Sequence, residues 1–129
     1  MFCDPWLSAA PYHEYTHALV YAVTRGNNPP RWVHEGLAVH MERQRAPEFR
    51  QEAIRRARGG VVPTLDQSPY TLGSVAIGYL VERYGMTRIQ QLLRRMGEGR
   101  PFPQVFQETY QMGVDTLQQD LRDLLVRGY

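Results

Sequence analysis

The chain has 129 residues, 43% of them hydrophobic, enough for one domain with a buried core. Its 15 basic residues are all Arg and exceed the acidic ones by only two, interleaved with them and never massed, which argues against a nucleic-acid-binding face. A lone cysteine, Cys3, excludes an internal disulfide, and no run approaches the roughly 18 apolar residues of a membrane span. Met1 to Leu7 has neither the basic region nor the apolar stretch of a secretory signal, so the chain reads as soluble: cytoplasmic, or exported if a leader belongs upstream.

The first predicted helix has Ser8 as N-cap and Pro11 in its opening turn, where a missing N–H costs least. It runs to about Thr24, with His13, His17, Val20 and Tyr21 at helical spacing. Gly26-Asn27-Asn28-Pro29-Pro30 is a dense breaker cluster and ends it. A second helix starts near Arg31, includes Trp32, Glu35, Leu37, Ala38 and Met41, and stops before Pro47. Pro47 to Arg58 reads as a charged surface helix with Phe49, Ala53 and Ile54 as its narrow apolar side.

Gly59-Gly60 closes that helix, and Val61 to Pro69 reads as an extended loop. Leu72, Val75, Ala76, Tyr79, Leu80 and Tyr84 then mark a buried helix ending at Gly85. Thr87 is the expected cap of the next, whose stripe is Ile89, Leu92, Leu93 and Met96. Short helices over about Pro103 to Tyr110 and from about Asp115 to Val126 follow, the last carrying Leu117, Leu121, Leu124 and Leu125. Strand-like alternation is nearly absent, so the fold class is mainly α with little or no sheet, over a single domain spanning 1–129.

The chemistry is concentrated in His13-Glu14-Tyr15-Thr16-His17. On a helix of 3.6 residues per turn, positions i and i+4 stack, so both imidazoles can reach one tetrahedral ion at about 2.0–2.1 Å. Glu14 beside them is placed to take a proton from a water on that ion. A catalytic zinc takes three protein ligands and keeps one position exchangeable. Glu35, in Trp32-Val33-His34-Glu35-Gly36-Leu37-Ala38, is the best third ligand, because the Pro-rich loop lets its helix fold back beside the first.

H-E-x-x-H followed beyond such a loop by W-x-x-E-G-L-A resembles the gluzincin metallopeptidases, particularly their peptidase-MA-like and aminopeptidase-type branch. Ser68-Pro69-Tyr70-Thr71-Leu72-Gly73-Ser74-Val75-Ala76, with Tyr79 to Gly85 after it, is similar to the helix that closes the site in those enzymes. The resemblance covers nearly the whole chain. It implies a zincin-like helical domain with one Zn2+ on His13, His17 and Glu35, a peptide or protein substrate, Glu14 as general base, and Tyr70 as donor to the developing oxyanion. The other reading of Tyr70 is a buried aromatic whose hydroxyl rests on a neighbouring carbonyl.

Two features depart from that family. Its members often carry a carboxylate four residues after the ligand Glu, able to accept a hydrogen bond from a zinc-bound His; here that position is Val39, so a backbone carbonyl or another acid must serve. They also place a twisted sheet before the H-E-x-x-H helix, whereas residues 1–12 leave room for a short strand or helical lead-in at most. The chain is then a fragment of a longer gluzincin, or its cleft is open on one side.

His34 and His40 read as solvated groups before residues pointing into the cleft, Glu42 as part of a solvated helix face before a support of the site, and Cys3 as a free thiol without a role before one that approaches the open zinc position. The competing functional reading is a catalytically weak zinc-binding scaffold or interaction module.

Overall fold

A computed structural model describes residues 9–43 and 45–129. Among them are seven helices and no strand: α1 Ala9–Val23, α2 Arg31–Glu42, α3 Ala46–Arg58, α4 Thr71–Tyr84, α5 Met86–Met96, α6 Phe102–Tyr110 and α7 Val114–Val126. The fold is mainly α, as the periodicity predicts. No helix among the described residues is long and apolar enough to cross a membrane. The predicted Ser8 cap and the predicted idle thiol of Cys3 lie outside the described residues.

Helix α4 is the hub, packed against α2, α3, α5 and α7. Its closest approach is to α2, where glycine removes the side chains between the two backbones. A Cβ on Gly36 would lie 2.3 Å from the Gly73 carbonyl oxygen, and one on Gly73 would lie 2.7 Å from the Trp32 carbonyl oxygen. Real atoms do not approach so closely, so this crossing requires both glycines. It fixes α2, and with it Glu35, against the centre of the molecule.

Helix α1 folds back on α2 through a Schellman turn. The Arg25 N–H bonds to the Ala22 carbonyl and the Gly26 N–H to the Tyr21 carbonyl, with Arg25 left-handed at φ 54°. The Thr24 hydroxyl adds a bond to the Val20 carbonyl at 2.8 Å. The breaker cluster therefore works with Arg25, which sequence reading passed over. Val20 packs into the core while Tyr21 is exposed, so the expected apolar stripe of α1 is narrower than its sequence suggests.

Trp32 and the α6 residues Phe102, Phe106 and Tyr110, spaced one helical turn apart, fill one end of the core edge to face or tilted, with Tyr84 against Tyr110. Ile89, Leu92, Leu93 and Met96 of α5 are buried, as are Leu117, Leu121 and Leu125 of α7. Leu124 is half-buried and Val126 exposed, which trims the predicted last stripe. One cap prediction fails: α5 starts on Gly85 at φ 87°, with no side-chain cap, and Thr87 lies inside the helix. The left-handed glycine turns the chain sharply enough to start the helix two residues earlier.

Candidate metal centre

Helix α1 presents His13 and His17 one turn apart, their ring centroids 4.7 Å from each other. Helix α2 runs beside it and brings Glu35 between them. Nε2 of His13 lies 3.2 Å from Glu35 Oε1, and Nε2 of His17 lies 3.1 Å from the same oxygen. The candidate ligand atoms of all three residues lie within 4.8 Å of one another, a group that could hold a metal ion.

The donor set fits an ion on two counts. Two donors at about 2.0–2.1 Å from one tetrahedral zinc are separated by about 3.3 Å, close to both nitrogen-to-oxygen distances. Proton accounting is the second. Nδ1 of His13 lies 2.6 Å from Glu42 Oε1, so both ring nitrogens of His13 face carboxylate oxygens. A neutral imidazole has one N–H. Spent on Glu42, it leaves an Nε2 lone pair opposed to the Glu35 oxygen, a repulsion that a cation between them turns into attraction.

His17 repeats the arrangement with a different partner. Its Nδ1 lies 3.3 Å from His34 Nδ1, and His34 Nε2 lies 3.2 Å from Asn28 Oδ1. A consistent tautomer set has His17 Nδ1–H donating to His34 and His34 Nε2–H donating to Asn28, which again frees the His17 Nε2 lone pair. Burial pushes the His34 imidazole below its ordinary pKa, with His17 adding to the shift and Glu35 opposing it. His34 is thereby kept neutral, as an acceptor at Nδ1 requires.

These contacts correct two sequence expectations. Glu42 is not a solvated helix residue: its side chain is 3% exposed and bound to His13. Seven positions after Glu35, it returns to nearly the same face of α2. It occupies the role for which Val39 is the wrong residue; Val39 itself is fully buried in the core. His34 is likewise half-buried against His17. The sequence signal for Glu42 is its spacing of two helical turns from Glu35, where the family pattern has its carboxylate one turn away. His40 is also half-buried, but it lines a separate cavity.

Glu14 is exposed on α1, next to His13, with no hydrogen-bond or ion-pair partner among the described residues. Tyr70 sits immediately before α4 at 37% exposure, and its hydroxyl meets no carbonyl among the described residues, so its ring is not the buried aromatic of the other reading. Its ring lies under the Arg31 guanidinium, 5.5 Å from ring centroid to Cζ, while Arg31 Nε is 3.8 Å from Glu35 Oε2. Arg31, which the sequence reading assigned no site role, thus links Tyr70 to the cluster. An open groove of ≈ 410 Å³ runs past His17, Tyr21, Asn28, Arg31, His34 and Glu35. No family model matches the chain, and no curated protein or solved structure is similar enough to count as a match.

Proposed function

We propose that the protein is a zinc-dependent peptidase of gluzincin type, with His13, His17 and Glu35 holding one zinc ion and Glu14 as general base. The observation that carries this reading is the convergence of two histidine Nε2 atoms on a single Glu35 oxygen, with each Nδ1 already engaged on its far side. Two imidazoles and a carboxylate with an open remaining position suit catalytic zinc. The bound ion supplies Lewis acidity and lowers the pKa of water toward about 7.

The residues of the chain do the rest. Glu14, free of partners among the described residues, accepts the proton of the attacking water and returns it to the leaving amine. Tyr70 donates its hydroxyl to the developing oxyanion, an interaction of about 3 kcal/mol when well aimed. Glu42 and His34 hold the two imidazoles in their ligating tautomers. The open groove beside His17 receives an extended peptide.

The test is cleavage of a mixed peptide library by the zinc-loaded chain, with and without chelator, beside Glu14→Gln. The proposal expects chelator-sensitive cleavage that disappears in Glu14→Gln while zinc stays bound. Unchanged cleavage by that variant would remove Glu14 from its role. Tight zinc with no cleavage at all would favour a zinc-binding scaffold.

A further inference from the structure

A second cavity lies away from the histidine cluster and shares no lining residue with its groove. It measures ≈ 480 Å³ and opens between the end of α2, helices α3 and α4, and the turn at Gly128 and Tyr129. That volume is within the range of about 300–1,000 Å³ usual for small-molecule sites. Its apolar wall includes Ile54, Val75, Ala46 and Pro47; its polar rim includes His40, Arg43, Arg50 and Glu82.

Gly78 gives the cavity a second, independent mark. It lies in the interior of α4, where glycine is among the poorest helix formers. Gly36 and Gly73 are explained by the crossing of α2 and α4, but a Cβ on Gly78 would meet nothing within 4 Å. No packing demands a glycine there. What its missing side chain leaves is open space in the wall of the cavity.

The rim sets the sign of the guest. Glu82 is already engaged, accepting a hydrogen bond from the Tyr129 hydroxyl at 3.0 Å. Arg50 donates to the main-chain oxygen of Tyr129 at 2.7 Å, with its guanidinium over the Tyr129 ring. Arg43, which ends α2 in a left-handed conformation at φ 67°, has no ion pair and no side-chain hydrogen bond among the described residues. Burial, and then the Arg43 charge, hold His40 below its ordinary pKa, so it adds a neutral hydrogen-bonding group to the rim. Of the two rim guanidinium groups, Arg50 is thus occupied and Arg43 is the one without a partner among the described residues.

We propose that the cavity bounded by Arg43, His40, Arg50 and Gly78 is a binding site for a small organic anion. The carboxylate of the guest lies on Arg43 and its flat apolar body lies against Ile54 and Val75 beneath Gly78. This site is independent of the metal centre and of the peptidase reading.

The probe is 2-naphthoate, titrated calorimetrically into the full chain with chelator present so that no metal can hold the carboxylate. Saturable one-to-one binding is expected. Arg43→Gln should weaken it by about tenfold or more, the neutral 2-naphthamide should bind correspondingly worse, and Gly78→Leu should block the site while leaving the helical fold intact by circular dichroism. Absence of saturable 2-naphthoate binding overturns the proposal. So does undiminished binding in folded Gly78→Leu, which would place the probe elsewhere, and so does equal affinity for the amide or equal binding by Arg43→Gln, which would remove the anionic requirement.

Discussion

Glu42 accepts a hydrogen bond from His13 Nδ1 at 2.6 Å, across the interface of α1 and α2. A carboxylate in this position fixes the tautomer and the ring angle of the histidine and raises its basicity as a ligand. Glu42→Ala should therefore weaken zinc retention by about 10–100-fold, read by competition with a chromogenic chelator. Glu42→Gln keeps an acceptor oxygen and should lose less. Equal zinc affinity in both variants and the parent would deny Glu42 any part in the site.

The glycines make opposite predictions. Gly36→Ala forces a methyl to 2.3 Å from the Gly73 carbonyl oxygen and 2.8 Å from Ile77 Cγ1, and the nearest of these atoms is backbone that cannot swing aside. A loss of about 3 kcal/mol in urea unfolding is expected, with zinc retention impaired because Glu35 is the adjacent residue. Gly78→Ala meets nothing and should gain up to about 1 kcal/mol from helix propensity. The same sign for both substitutions would contradict the α2–α4 crossing.

Tyr110 carries a buried hydroxyl with no hydrogen-bond partner among the described residues, and burial pushes its pKa well above the usual tyrosine range. An unpaired buried hydroxyl costs about 1–3 kcal/mol, whereas the ring contacts with Phe106 and Tyr84 do not need it. Tyr110→Phe should accordingly stabilise the fold by about 1 kcal/mol in thermal or urea unfolding. A destabilised variant would mean that the hydroxyl has a partner.

On α3, the Arg55 and Arg56 guanidinium groups donate to Glu52 and hold its carboxyl down to about 2. Because the folded pKa lies below the unfolded one, the pair contributes above the ordinary carboxylate pKa of about 4.3, and that contribution is lost as pH falls toward about 2. The group is exposed, so the energetic effect is small and screened by salt. NMR titration of the Glu52 side chain should show the depressed midpoint, moving up toward the ordinary value in an Arg55→Gln, Arg56→Gln double variant. A Glu52 midpoint already near 4.3 in the parent chain would contradict the ion pair.

Much of the helical architecture was legible in the sequence because its punctuation is local. Pro29-Pro30, Gly59-Gly60 and Gly85 terminate runs whose apolar spacing is regular, and the buried stripes of α5 and α7 follow that spacing closely. Thr87 misled because a left-handed Gly85 started α5 without a side-chain cap. The meeting of His13, His17 and Glu35 was legible as well, from one helical turn and one loop able to reverse the chain. Glu42, His34 and Arg31 were harder. Glu42 and His34 depend on how α1 lies across α2, and Arg31 on how the residue before α4 lies beside α2, relations between elements that periodicity along one helix does not encode.

The central claim is that His13, His17 and Glu35 together hold one metal ion. Its most direct test is zinc content by mass spectrometry after exhaustive dialysis of the full chain, beside Glu35→Ala. One zinc per chain should survive in the parent and be lost from the variant, with the helical circular dichroism of both preserved. A parent chain that retains no zinc, or a Glu35→Ala chain that retains as much, would contradict the account.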